Sequence, residues 1–221
     1  MYIAIGVILS LIFGYLLGSI SHGVLIGKIF FGVDVRESGS KNSGGTNTGR
    51  VLGKKIGLIT ILLDMLKCTL AIWITYFICK IDFLQELLVI NPSYYGFIAG
   101  AGACLGHTFP IFFGFKGGKI VSCFAGIIVA TNWLFAICGI TFFFIVLKLS
   151  KYVSLGSIVT SLLLGILSFF PVLTNFGMNF GLSNDIYYGI LVMCASLFLT
   201  YRHKENIKRI INGSESKIKW M

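Results

Sequence analysis

The chain has 221 residues, of which 56% are hydrophobic and only 12% charged, and its mean hydropathy is +0.91. A soluble domain of this length cannot hide that much apolar surface, so the composition excludes an ordinary globular enzyme and indicates an all-α, polytopic integral membrane bundle. Lys and Arg number 18 against 8 acids. In a soluble protein that balance would suggest nucleic acid, but in a membrane protein the enrichment of bases on cytoplasmic loops accounts for it first, and no nucleic-acid partner is expected.

In chain order, the N-terminus has neither a basic leader nor a small-residue cleavage site, and residues 2–31 read as a first membrane helix. Gly14, Gly18, Gly23 and Gly27 recur at four or five residues, which permits close helix packing in lipid. His22 falls in its last third and reads as a packed or interfacial side chain. A polar loop follows at about 32–55. The second span covers about 56–79 and holds Asp64 and Lys67, three apart and therefore on one helical face. Ionisable groups inside a span are costly and face the bundle interior; these read as a structural ion pair or a pair orienting the polar loop, with substrate contact as the alternative. Residues 80–93 carry Asp82 and Glu86 and form an outside loop. The third span, about 94–113, ends in a second glycine-basic cluster. Residues 120–149 are apolar but interrupted at Thr131-Asn132-Trp133, which suits two short helices with a tight turn or one long tilted segment. Further spans cover about 152–172 and 186–201, separated by a loop at 174–185, and the tail from Arg202 is strongly basic.

Of the 18 Lys and Arg, 16 fall in segments read as cytoplasmic. That asymmetry sets an N-out, C-in topology with an odd number of spans; seven fits, and five is the alternative. The six cysteines are scattered through apolar segments with no Cys-x-x-Cys, and read as buried thiols, neither a disulfide framework nor a metal site. The whole chain, 1–221, reads as one domain.

The run Gly39-Ser40-Lys41-Asn42-Ser43-Gly44-Gly45-Thr46-Asn47-Thr48-Gly49-Arg50 has no large apolar side chain, yet apolar segments flank it. Its glycines let backbone N–H groups converge on an anion, its Ser, Thr and Asn residues add neutral donors, and Lys41 and Arg50 add charge. A flexible polar connector is the plainer reading. The P-loop spacing is absent. A second cluster combines His107 with Phe115-Lys116-Gly117-Gly118-Lys119, and a third combines His203, Asn206 and Arg209. On the expected topology all three lie on the cytoplasmic face and could converge on one phosphate-recognising cavity. No carboxylate cluster supports a divalent-metal site, and no Gly-x-Ser-x-Gly elbow supports a serine hydrolase.

These motifs, in this order and spacing, resemble the bacterial acyl-phosphate:glycerol-3-phosphate acyltransferases. The resemblance rests on Gly-Ser-x-Asn-x-Gly-x-Thr-Asn-x-x-Arg at Gly39 to Arg50, on Gly-His-x-Phe-Pro with Phe-Lys-Gly-Gly-Lys at Gly106 to Lys119, and on His-x-x-Asn-Ile-x-Arg at His203 to Arg209 with Gly213, Glu215 and Lys217. Gly18-Ser19-Ile20 and Asp64-Met65-Leu66-Lys67 add to it, and it spans essentially the whole chain. It implies a seven-helix membrane bundle with its site at the cytoplasmic surface of the bacterial cell membrane, needing no cofactor and no metal. By matching positions it implies a reaction core of Ser40, Arg50, Lys116, His203 and Asn206 supported by His107. The phosphate cradle is then Gly39, Asn42, Gly44, Thr46, Asn47, Gly117, Gly118 and Lys119, with Arg209 as a further phosphate-binding cation. Three positions depart from the pattern. Lys41 and Ile120 stand where glycine is typical, with Ser122-Cys123 following where small residues are usual, and Ser21 replaces a common proline.

The implied reaction is attack of the sn-1 hydroxyl of glycerol 3-phosphate on the carbonyl of an acyl phosphate, giving lysophosphatidate and inorganic phosphate. Two anions must be held together, which suits the surplus of cations and donors. His203 could act as general base; the resemblance favours the donor's own phosphate taking the proton, with His203 orienting the acceptor. It also implies coupling to a peripheral enzyme that forms acyl phosphate. A related lipid-head-group transferase or a small-anion transporter is the alternative, but a transporter predicts internal repeats and midplane polar breaks that the chain lacks.

Overall fold

In lipid every backbone N–H and C=O must find a partner within the chain, and long apolar runs do so as helices. The computed structural model describes residues 1–88, 90–174, 177 and 186–218, and no strand forms among them. The helices are α1 (Tyr2–Gly18), α2 (His22–Phe31), α3 (Gly45–Leu52), α4 (Lys54–Cys79), α5 (Asp82–Leu88), α6 (Pro92–Thr108), α7 (Val121–Thr131), α8 (Trp133–Ser150), α9 (Val153–Leu167), α10 (Pro171–Thr174), α11 (Ile186–Arg202) and α12 (Lys204–Ile211), with 3-10 turns at Val35–Glu37 and Ile111–Phe113. Among the described residues four segments are long and apolar enough to cross a membrane: Tyr2–Phe31, Lys54–Cys79, Pro92–Phe113 and Trp133–Ser150. Three shorter apolar helices, Val121–Thr131, Val153–Leu167 and Ile186–Arg202, complete the series. Their order is the one hydropathy predicts, and residues 120–149 are two helices divided at Asn132. Most of the 174–185 loop lies outside the described residues.

The chain divides into two compact units, Met1–Ala130 and Thr131–Met221. In the first, α1 buries Gly6, Ser10, Gly14 and Gly18, one residue per turn. A Cβ at Gly14 or Gly18 would strike the backbone of Ala99 or Ala103, and one at Gly102 or Gly106 would strike that of Leu11 or Tyr15. The α1 and α6 backbones are therefore in direct contact along these small residues, the means by which helices associate where lipid removes the hydrophobic drive. The opposite side of α1 exposes Ile5, Ile8, Leu9, Ile12 and Leu16, as a lipid-facing surface does. Asn91 starts α6, its Oδ1 accepting from Ser93 N at 2.9 Å with Pro92 in the first turn. Helix α4 is tied to α7 by Thr69 Oγ donating to Gly126 O (3.1 Å) and by Trp73 Nε1 donating to Ala130 O (3.1 Å).

In the second unit Asn132 Oδ1 accepts from Phe135 N at 3.0 Å and starts α8. Lys151, at φ +64°, turns the chain from α8 into α9. Ser196 Oγ on α11 donates to Ser161 O on α9 at 2.5 Å. The tail returns to this turn, with Ile218 N donating to Lys151 O (2.9 Å).

Four expectations change. The first span is not one helix: Ser19 to Ser21 interrupt it, where Ser19 Oγ bonds Tyr15 O (2.8 Å) and Ser21 takes an extended conformation. The polar loop is not a plain connector but folds into a 3-10 turn and α3. The 80–93 segment contains α5. Among the cysteines, Cys138 is half-buried and Cys194 exposed, while Cys68, Cys79, Cys104 and Cys123 are buried.

Candidate active site

In the first unit the two glycine-basic loops are folded against each other. Asp34 opens the first: its carboxylate accepts from Arg36 N (3.0 Å), Nε (2.9 Å) and Nη2 (2.7 Å). This planar two-point pairing is the strong geometry for Arg and carboxylate. Arg36 holds the Asp34 carboxyl well below the usual carboxylate range, and Asp34 raises the guanidinium in return. Arg36 Nη1 reaches across to Phe113 O (2.6 Å) and Lys116 O (3.1 Å), clasping the second loop at the backbone of Lys116. Asn42 adds a longer link, Nδ2 to Gly117 O at 3.5 Å.

Asn47 is the hub of the first loop. It is 2% exposed. Its Nδ2 donates to Val35 O (2.7 Å), Asn42 O (2.8 Å) and Ser38 O (3.2 Å), and its Oδ1 accepts from Ser40 N (2.7 Å) and Ser40 Oγ (3.1 Å). Gly39 sits at φ +63°, and a Cβ there would collide with Asn47 Oδ1. Gly44, the cap of α3, donates its N–H to Asn42 Oδ1 (2.9 Å). Around this frame Ser40, Thr46 and Arg50 are exposed, and Thr46 and Arg50 share one face of α3 at i,i+4. The structure thus uses Asn47 inside the loop, leaves Thr46 and Arg50 outward, and holds the exposed Ser40 by its Oγ on Asn47.

The second loop is built on His107. Gly117 N donates to Thr108 O (3.1 Å) and Gly118 N to His107 O (2.9 Å). A Cβ on Gly117 would run into His107 O, and one on Gly118 into His107 Nε2. The Gly-Gly pair is therefore needed for close approach to the histidine. Lys116 is exposed and Lys119 half-buried. Lys41 and Ile120, the two positions where glycine is typical, both take left-handed backbone at φ +55°.

In the second unit His203 Nδ1 lies 2.8 Å from Leu199 O. A carbonyl only accepts, so Nδ1 carries a proton, and in the neutral ring Nε2 is the basic nitrogen. Glu215 organises the rest of the tail. Its Oε1 accepts from Asn206 Nδ2 (2.7 Å) and Ser154 Oγ (2.8 Å), and its Oε2 from Arg209 Nε (2.7 Å). Burial pushes the Glu215 carboxyl up, but the bonds from Asn206, Arg209 and Ser154 outweigh it and the net shift is downward. Asn206 and Arg209 meet on a carboxylate that offsets the Arg209 charge. Sequence reasoning did not select Arg36, Asp34, Ser154 or Glu215 for the site. Glu215 was visible in Gly213-x-Glu215-x-Lys217; the Arg36 clasp had no local signal.

A family model described as glycerol-3-phosphate acyltransferase matches residues 8–213. The glycerol-3-phosphate acyltransferase of Listeria monocytogenes serovar 1/2a is 42% identical over 217 residues, covering 98% of this chain and 99% of that protein. The Bacillus subtilis (strain 168) protein of the same name is 42% identical over 213 residues, covering 96% and 98%. The crystal structure of PlsY (YgiH), an integral membrane glycerol 3-phosphate acyltransferase, in its glycerol 3-phosphate form superposes with a TM-score of 0.77 at 32% identity, covering 96% of each chain. Its lysophosphatidic acid form gives 0.75 at 29% identity, covering 96% of this chain and 95% of that one.

Proposed function

This chain belongs to the glycerol-3-phosphate acyltransferase family, an integral membrane enzyme family, and on that premise we propose that it transfers a fatty acyl group from acyl phosphate to the sn-1 hydroxyl of glycerol 3-phosphate, releasing lysophosphatidate and inorganic phosphate. The observation that carries this reading is the clasped pair of glycine-basic loops in the first unit. Arg36 and Asn42 bind the loops by their backbones, so Arg50 and Lys116 project from a frame that their own side chains do not have to hold together, and Ser40 lies exposed beside them with its Oγ on Asn47 Oδ1. The forms in which the PlsY neighbour was crystallised support a phosphomonoester acceptor and a lysophospholipid product.

Acyl phosphate is a mixed anhydride, so the reaction needs no covalent enzyme intermediate. The sn-1 oxygen bonds to the acyl carbon, the bond to phosphate breaks, and the hydroxyl proton leaves with the phosphate or through a base. Arg50 and Lys116 would neutralise phosphate and the charge that grows in the transition state. Ser40, Thr46, Lys119 and the Gly117-Gly118 backbone would complete the cradle. Asn206 and His203 would act on the acceptor, with Nε2 of the neutral His203 ring either taking the proton or orienting the hydroxyl. We place residues 1–221 in one membrane domain of seven spans, N-out and C-in, with the site at the cytoplasmic face and functional coupling to an enzyme that forms acyl phosphate.

The test is phosphate release by the purified protein given palmitoyl phosphate and glycerol 3-phosphate, with palmitoyl-CoA and Arg50→Ala as controls. The expected result is turnover that needs both substrates, makes lysophosphatidate, fails with the thioester and is lost in the variant. Turnover with palmitoyl-CoA alone as donor overturns the donor assignment. A pH–rate profile of His203→Gln decides the histidine role: loss of an ionisation near the ordinary His value of about 6.5 supports a base, and an unchanged profile supports orientation.

A further inference from the structure

Four polar side chains in the apolar helices of the first unit meet in one buried cluster. Asp64 on α4 is 1% exposed, Lys67 on α4 is 4%, and His107 on α6 is 5%. His22, the first residue of α2, is half-buried. Lys67 Nζ is 2.9 Å from Asp64 Oδ1, donates to Ile20 O at 2.5 Å and lies 3.2 Å from His107 Nδ1. An ammonium has three N–H donors and no acceptor; here three acceptors meet it. The Ile20 carbonyl is available because the helix is interrupted at Ser19 to Ser21. His22 Nδ1 donates to the same Asp64 oxygen at 2.9 Å.

A buried ion pair within membrane helices is a poor way to gain stability, since desolvation costs about as much as the attraction returns. Its geometric consequence is specific. Lys67 can only donate, so His107 Nδ1 accepts and the ring proton sits on Nε2. The Nε2 edge is the side on which Gly118 rests, and the His107 carbonyl receives the Gly118 N–H. The position of one lysine nitrogen therefore sets the ring plane and tautomer of His107, and the ring sets the path of Gly117 and Gly118 between Lys116 and Lys119.

We propose that Lys67, braced by Asp64 and His22, is a positioning residue for the Lys116–Lys119 loop and acts through the orientation and tautomer of His107. This rests on the reading of that loop as part of the phosphate cradle. Lys67 touches no substrate.

The test uses the double variant Asp64→Asn/Lys67→Met, which removes both charges and leaves neither unpaired, in the purified full-length protein. Two readouts are taken. In the first, 15N chemical shifts of labelled imidazoles, with His107 assigned by its loss in His107→Gln, report the tautomer without any substrate. Wild type is expected to show Nε2–H alone and the double variant a mixture. In the second, kcat/KM for glycerol 3-phosphate is expected to fall about tenfold or more, as follows from a displaced Lys116. A wild-type His107 protonated on Nδ1 overturns the proposal. So does a folded double variant whose kcat/KM stays within twofold of wild type. If the wild type itself shows no acyl transfer, the functional reading fails while the tautomer still decides the Lys67–His107 relation.

Discussion

Replacing Asn47 by Asp changes one NH2 to an oxygen and almost no volume, so its cost can be worked bond by bond. The acceptor side survives, because Asp keeps an oxygen for Ser40 N and Oγ. The donor side is lost: the two short bonds to Val35 O (2.7 Å) and Asn42 O (2.8 Å) become contacts between a carboxylate and two carbonyl oxygens. Leaving a buried partner unsatisfied costs about 1–3 kcal/mol each, so the two together cost about 2–6 kcal/mol before repulsion is counted. The lost bonds pin residues 35–42 and do not join helices, so the loss is expected as local opening of the loop and not as global unfolding. Hydrogen exchange followed by mass spectrometry in detergent is the assay. Peptides covering 34–48 should lose most of their protection while those of α4 and α6 keep theirs, and kcat/KM for glycerol 3-phosphate should fall at least tenfold. A folded Asn47→Asp protein with unchanged exchange in 34–48 and kinetics within twofold of wild type would refute the assignment of Asn47 as the hub.

Three further outcomes follow from the same geometry. Gly118→Ala places a methyl in the His107 ring, so a loss of about 1–3 kcal/mol through overpacking is expected, read as a lower midpoint in detergent and at least tenfold less turnover; a variant equal to wild type in both would show that the loop shifts freely. Lys41 and Ile120 share φ +55° but differ in burial, with Lys41 exposed and Ile120 0% exposed. Lys41→Gly relieves a left-handed conformation worth about 1–2 kcal/mol, offset by about 0.4–1 kcal/mol of unfolded-chain entropy, and should stabilise slightly. Ile120→Gly also loses a packed side chain worth about 2–5 kcal/mol and should destabilise; thermal midpoints moving in the same direction contradict this account. The Glu215 carboxyl is lowered in the folded protein, so its stabilisation is present above the ordinary carboxylate value of about 4.3 and is lost as pH falls through the lower folded value. Glu215→Gln should therefore be less stable than wild type at neutral pH, with the gap closing on acidification below about pH 4; parallel midpoint–pH curves would rule that out.

Much of this protein is legible one residue after another. Apolar runs too long for a soluble core determine helices and a membrane, because lipid leaves backbone groups no other partner. The glycine spacing on α1 announces close helix packing, and the interruption at Thr131-Asn132-Trp133 announces the division between α7 and α8. The run Gly39 to Arg50 and the Gly117-Gly118 pair are legible as polar loops because their composition is intolerable in a span. What the chain in one dimension does not carry is partner choice. The break at Ser19 to Ser21 looks like continuous helix until Lys67, 47 residues on, takes the Ile20 carbonyl. Arg36 reads as one loop charge among several until it meets Phe113 O, 77 residues away. Asn47 and Arg209 read equally well as ligand-facing donors, and only folding spends the first on its own loop and sets the second against Glu215. A hydrogen-bonding side chain announces that it needs a partner, and spacing constrains that partner only within a helical turn. Beyond that reach the packing of α1, α4 and α6 decides which groups are left exposed and which hold the frame.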